Sequence, residues 1–316
     1  MGEVTIAELG EFGLIDLITE GVRDAPEVEV GPGDDAAALQ LEPPVIVSTD
    51  ILVENIHFRP SWSSGSDVGR KAIAVNVADI EAMGGRARAV TVAFSAPADT
   101  PVSWVREFAA GLREECAAAG VHLVGGDVTG SRDVTVSVTA LGVTDGRDPV
   151  RRDGAVPGEV VAVCGRLGWA AAGLVVLGRG FRSPRAVVEA QRVPAVPYGA
   201  GADAAESGAT AMIDVSDGLL ADLGHIARAS GVIIDVDTGA FEIAEPLQAV
   251  AAATGTDPLR LVLTGGEDHA LAATFPDTGA VPEGWLVIGT VRAGDPEVLV
   301  DGEPWEESAG WDHFRR

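Results

Sequence analysis

Three observations predict an α/β fold of the α+β type, in two domains that each carry a mixed sheet. Short apolar runs of strand composition alternate along the chain with longer stretches of helical periodicity. Residues 145–158, DGRDPVRRDGAVPG, are dense in Gly, Pro and charge, and the alternation restarts beyond them. The chain's 316 residues suffice for two domains of ordinary size, which the charged segment divides into 1–148 and 149–316.

Taken in order, Thr5 can cap a first helix to about residue 20, with Ile6, Leu9, Leu14 and Leu17 along one stripe. Strand-like runs follow: AAALQL, VIVSTD and ILVENIHF. SDVGRKAIAVNVADIEAMGG predicts a helix, capped by Ser66 or Asp67 and stopped by Gly84–Gly85. RAVTVAFSA predicts a strand, SWVREFAAGLREECAAAG a helix, and VHLVGGD a strand whose two glycines suit a hairpin corner at Asp127. DVTVSVTALGV alternates residue by residue, as a half-buried strand does. Past the boundary come strand EVVAVCG, several alanine-rich helices, then AMIDVS, DGLLADLGHIARAS and GVIIDVD as strand, helix and strand. Further strands are expected around 269–275 and 286–300.

The balance of 22 basic against 48 acidic residues leaves a formal charge of −26. Such a surface repels phosphate backbones and anionic membranes, so neither nucleic acid nor membrane is an expected partner. Any anionic substrate would need cations between itself and the protein. Lys71 is the sole lysine and lies in VGRKAIA, outside any GxxxxGK[ST] phosphate loop. Cys116 and Cys164 lie far apart, among apolar residues, without metal spacing. The acidic start MGEVTIAELGEFGLIDLITE is unlike a signal peptide, and no apolar run is long enough to cross a bilayer. A cytoplasmic location is expected.

Six stretches place Asp or Glu beside glycine or at the end of an apolar run: GDD (33–35), STD (48–50), NVAD (76–79), GGD (125–127), DVSD (214–217) and GGED (265–268). Singly, each reads as a turn or a helix cap. Asp34 and Asp35 are adjacent, and two like charges side by side protonate, escape to water or share a cation. Asp79 lies inside an apolar helix, where a carboxylate needs a partner; Lys71 or a metal ion would serve. Strand-end aspartates in an α/β protein converge on one rim. Hard oxygen ligands without a His/Cys cluster select Mg²⁺ or Mn²⁺. Glycines beside the acids let backbone N–H groups approach phosphate oxygens. The composite points to Mg-dependent nucleotide chemistry.

GPGDDAA, STDILVENIHF, KAIAVNVADIEAMGG, GGDVT, IDVSDGLLADLGHIARAS, LTGGEDHAL and the terminal WDHF, read together from about residue 11 to 314, resemble the thiamine-monophosphate kinases in order and spacing. That superfamily also includes aminoimidazole ribonucleotide synthetase, selenophosphate synthetase and HypE. The resemblance implies a homodimer whose N-terminal domains pair their sheets into a barrel across the dimer axis. It implies the reaction of ATP with thiamine phosphate to give ADP and thiamine diphosphate, with several Mg²⁺ ions.

Carried over by position, Asp35, Ser48, Thr49, Asp50, Asp79, Asp127, Asp214 and Asp217 would hold the metals. Gly126, Asp127, Arg152 and Ser216 would contact ATP, and His57, Glu267 and Trp311 the thiamine phosphate. The residues alone do not choose between Asp34 and Asp35; the family pattern favours the second. Pro32 replaces a usual isoleucine, His269 and Trp311 stand where tyrosine is usual, and a linker lysine is missing. The alternatives are another ATP-dependent enzyme of the superfamily, similar to aminoimidazole ribonucleotide synthetase, and a non-catalytic nucleotide or metal binder. No cysteine precedes Cys116 and the chain ends WDHFRR, which disfavours selenophosphate synthetase and HypE chemistry.

Overall fold

The computed structural model describes residues 4–22, 25–32 and 36–310. It divides into two compact units: Met1–Ile80 with Arg86–Arg147, and Glu81–Gly85 with Asp148–Arg316.

The first unit begins with α1 (Ile6–Thr19), capped by Thr5, whose backbone N–H donates to Glu8 at 2.9 Å. Strands β1 (Val28–Val30) and β2 (Ala38–Leu39) pair antiparallel. The runs VIVSTD and ILV are one strand, β3 (Val45–Val53), not two. Then come α2 (Gly65–Ala82), β4 (Arg86–Ala96), α3 (Val102–Ala119), β5 (His122–Gly130) and β6 (Thr135–Val143). The cap of α2 is Ser64, two or three residues earlier than expected. Asp67 N–H donates to Ser64 Oγ at 3.2 Å, and Ser64 N–H to Asp67 Oδ2 at 2.8 Å.

Among the described residues β3–β6–β4–β5 form a four-stranded sheet, antiparallel except for β4 beside β5. Val90, Val92, Phe94, Val136, Val138 and Ala140 are buried at alternate positions of β4 and β6. Helices α2 and α3 touch backbone to backbone, since a Cβ on Gly69 would fall on the Phe108 carbonyl. Along β3 the other face is open, with Val45, Val47 and Ile51 exposed at 43, 61 and 50%.

The second unit holds β7 (Val160–Cys164), α4 (Trp169–Gly178), α5 (Arg185–Arg192), α6 (Ala200–Glu206), β8 (Ala211–Val215), α7 (Leu219–Ser230) and β9 (Ile233–Val236). A 3₁₀ turn at Thr238–Ala240 leads to α8 (Glu245–Thr254), α9 (Pro258–Thr264), β10 (Ala270–Phe275), β11 (Leu286–Arg292), β12 (Glu297–Val300) and β13 (Glu303–Pro304). Its sheet runs β13–β12–β9–β11–β7–β10–β8, with β12 and β9 parallel and the other neighbours antiparallel. Every residue of β8 and β10 is buried, as in strands covered on both faces. No described helix is long and apolar enough to cross a membrane.

Candidate active site

In the first unit, two periodicities bring the acids together. Ser48 and Asp50 are two apart on a strand, hence on one face; Asn76 and Asp79 are three apart on α2, hence on one side. These surfaces meet: Ser48 Oγ donates to Asp79 Oδ2 at 2.6 Å, and Asp50 N–H to Asn76 Oδ1 at 2.8 Å. β3 is an edge strand, so Asn76 supplies the acceptor that this outward N–H lacks within the sheet. Thr49 alternates to the opposite face, where its hydroxyl donates to the Val138 carbonyl at 2.8 Å.

His57 follows β3 in a short turn, and its Nδ1 accepts the Val53 N–H at 3.0 Å. The neutral ring therefore carries its proton on Nε2. Lys71, 1% exposed, donates to the His57 carbonyl at 3.1 Å and so holds this turn from α2.

Gly126 and Asp127 lie inside β5 rather than at a hairpin corner. A Cβ on Gly126 would lie 2.0 Å from the Val92 carbonyl, so the β4–β5 pairing admits only glycine there. Registration runs Asp50–Val138–Val92–Gly126 across the sheet. Three strand spacings separate its ends, roughly 14 Å. Asp50 and Asp127 of one sheet are too far apart to share an ion.

In the second unit the C-terminal end of β8 carries the acids. Asp214 is buried, with Oδ2 at 3.0 Å from His269 Nδ1. Glu267 N–H donates to the Ser216 carbonyl at 2.7 Å and His269 N–H to the Val215 carbonyl at 2.9 Å. The 265–269 turn is thereby laced to the 214–218 loop. Glycine is required on both sides: a Cβ on Gly266 would lie 2.5 Å from the Ser216 carbonyl, and one on Gly218 2.7 Å from the Thr264 carbonyl. Arg152 lies within electrostatic reach of His225, whose pKa is pulled down by burial, Arg228 and Arg152, against Asp217. Ser230 Oγ donates to the Arg152 carbonyl at 2.9 Å.

Asp35 and Trp311 lie outside the described residues, as does Asp34. The residue before Trp311 is placed: a Cβ on Gly310 would lie 2.5 Å from the Asp217 carbonyl, so the C-terminal segment reaches this loop.

Two buried aspartates were missed as site residues. Asp222 Oδ2 accepts the N–H groups of Asp217 and Gly218, both at 3.0 Å. Burial, then the charge of Asp214, pushes its carboxyl up to about 7. Asp268 accepts from Gly168 N–H at 2.5 Å and Ala170 N–H at 2.8 Å, and burial pushes it up to about 7 against those two bonds. For Asp222 a signal existed, an acid amid the apolar Leu219, Leu220 and Leu223, the same signal that singled out Asp79.

Among the described residues no group of three or more His, Cys, Asp and Glu side chains is gathered as a metal cage. Mg²⁺ does not need one, since it keeps waters and binds through one or two carboxylates plus substrate phosphates. The all-oxygen sets Ser48–Asp50–Asp79 and Asp214–Asp217 fit such an ion.

Family models for AIR synthase related proteins match this chain in two parts, the N-terminal domain over residues 33–144 and the C-terminal domain over 156–301. The chain is 52% identical to a thiamine-monophosphate kinase of Mycobacterium tuberculosis, over 98% of its own length and 93% of the relative's. The chain belongs to the thiamine-monophosphate kinase family. A Corynebacterium glutamicum member is 40% identical over 98% of this chain and 95% of that one. The solved structure "AaThiL complexed with AMPPCP and TMP" superimposes with a TM-score of 0.79 at 34% identity, covering 97% of this chain and 98% of that one. HypE, at 21% identity and a TM-score of 0.73, shares the fold. His269 is engaged by Asp214 at the root of the acidic loop.

Proposed function

We propose that this chain transfers the γ-phosphoryl group of ATP to thiamine phosphate, giving ADP and thiamine diphosphate. The observation that carries the reading is the 52% identity to a thiamine-monophosphate kinase over nearly the whole chain, joined to the two laced acidic loops. The acceptor is already an anionic phosphate, so no strong general base is needed. Catalysis is positioning and charge neutralisation.

Mg²⁺, held by Asp35, Ser48, Thr49, Asp50, Asp79, Asp127, Asp214 and Asp217 in sets of one or two carboxylates, would supply electrostatic clamping of the phosphate oxygens. Thr49 would contribute a backbone oxygen, because its hydroxyl is committed on the opposite face. Gly126, Asp127, Arg152 and Ser216 bind and orient ATP, with Arg152 as a fixed cation for phosphate oxygens. His57 presents its Nε2 proton to the acceptor phosphate. Glu267 accepts from the ring amine, and Trp311 offers an aromatic plane to the cationic thiazolium.

The exposed valine and isoleucine face of β3 supports the pairing of N-terminal sheets into a barrel across a homodimer axis. The metal, ATP and dimerisation roles of that domain (1–148) and the α/β domain 149–316 are part of this reading, as is a cytoplasmic location.

Incubating purified protein with ATP, Mg²⁺ and thiamine phosphate, then assaying thiamine diphosphate, tests it. Product is expected. Tight ATP binding without product points to a nucleotide sensor. Turnover of formylglycinamidine ribonucleotide instead points to aminoimidazole ribonucleotide synthetase chemistry.

A further inference from the structure

We propose that Asp268 is the positioning residue for Glu267, and that its buried carboxylate holds the 265–269 turn in the conformation that presents Glu267 to the thiamine phosphate acceptor. This rests on the function proposed above. Glu267 and His269, the residues on either side of Asp268, both have left-handed backbones, with φ of 70° and 50°. Residues with a Cβ adopt that conformation at a cost, so surrounding structure must impose it.

Three clamps do so. The turn's N–H groups bond to the carbonyls of Ser216 and Val215. Gly265 packs so closely that a Cβ would lie 2.3 Å from the carbonyl of Leu261, in the middle of α9. The third clamp is Asp268 itself, whose two oxygens accept Gly168 N–H at 2.5 Å and Ala170 N–H at 2.8 Å at the start of α4. A carboxylate there also meets the positive end of the helix dipole. Asp268 is 4% exposed, whereas Glu267 is only half-buried. Adjacent acids thus differ in placement, one anchored inward on α4 and the other at the half-buried surface of the turn.

The test is a kinetic cycle of D268N, E267Q and the double variant, with D268E as a charge-retaining control and melting curves for all four. D268N is expected to raise KM for thiamine phosphate on the order of tenfold to a hundredfold, with KM for ATP changed less than about threefold. In the E267Q background, D268N should add little, because the group it positions is already impaired. Full additivity overturns the proposal. So does equal loss for both substrates, or failure of both D268N and D268E to fold, since Asp268 is then only structural. If E267Q raises KM for thiamine phosphate and D268N does not, this inference alone fails. If E267Q leaves that KM unchanged, the assignment of Glu267 to the acceptor fails first.

Discussion

Asp79 lies inside an apolar helix and Asp268 in a tight turn, and each accepts hydrogen bonds from another element. Asp79 takes the Ser48 hydroxyl at 2.6 Å, which leaves its carboxylate further lone pairs. The variants D50N and D79N should each lower turnover by at least about a hundredfold, the scale of a lost charge-stabilising group, with unchanged circular dichroism. Activity retained in both would remove these acids from the metal set.

Asp268 carries a pH consequence. In the folded protein burial holds its proton up to about 7 against a usual value of 3.8. Between those values the native state binds more protons than the unfolded chain, so this group's contribution to stability falls as pH rises from about 4 to about 7, and is level above that. Melting temperature measured against pH for D268N and its parent should give curves that diverge across that window. Parallel curves would contradict the burial assignment. Little of this was legible in the chain, because GGED announces a tight acidic turn and not which acid faces inward.

Periodicity made most of the elements readable. The alternation of DVTVSVTALGV became β6, the helical spacing of AIAVNVADIEA became α2, and Gly120 ended α3 in the left-handed conformation. Reading was weakest where tertiary pairing overrides local composition. β3 runs straight through Asp50, which looked like a strand end, because β6 pairs with it along all nine residues. The Gly125–Gly126 pair looked like a corner, yet at Gly126 β4 approaches too closely for a side chain. The cap of α2 fell two or three residues early, since Ser64 forms a reciprocal box with Asp67. Replacing Ser64 by Ala should cost about 1 kcal/mol and lower the urea midpoint of the first unit. An unchanged midpoint would show that packing of Gly65 and Gly69 on α3 suffices to start the helix.

For the whole molecule, a formal charge of −26 sets the terms on which polyanions are handled. In the proposed function repulsion would be offset locally, by glycine-lined backbone, by Arg152 and Arg228 near the second acidic loop, and by the cations the oxygen sets would hold. The two-domain class followed from composition and alternation alone. The open face of β3 did not, since a strand reading cannot say which side a helix covers. If that face joins two copies, Val47→Lys, at a position 61% exposed, should halve the particle mass seen by light scattering. An unchanged dimer would move the interface elsewhere.

Lys71 reaches further than its hydrogen bond to the His57 turn. It is the chain's single lysine and is 1% exposed, so the native fold shields its ε-amino group from reagents that acylate primary amines. An adduct of a fluorophore ester appearing on Lys71 would report that the helix bearing it had come away from the sheet.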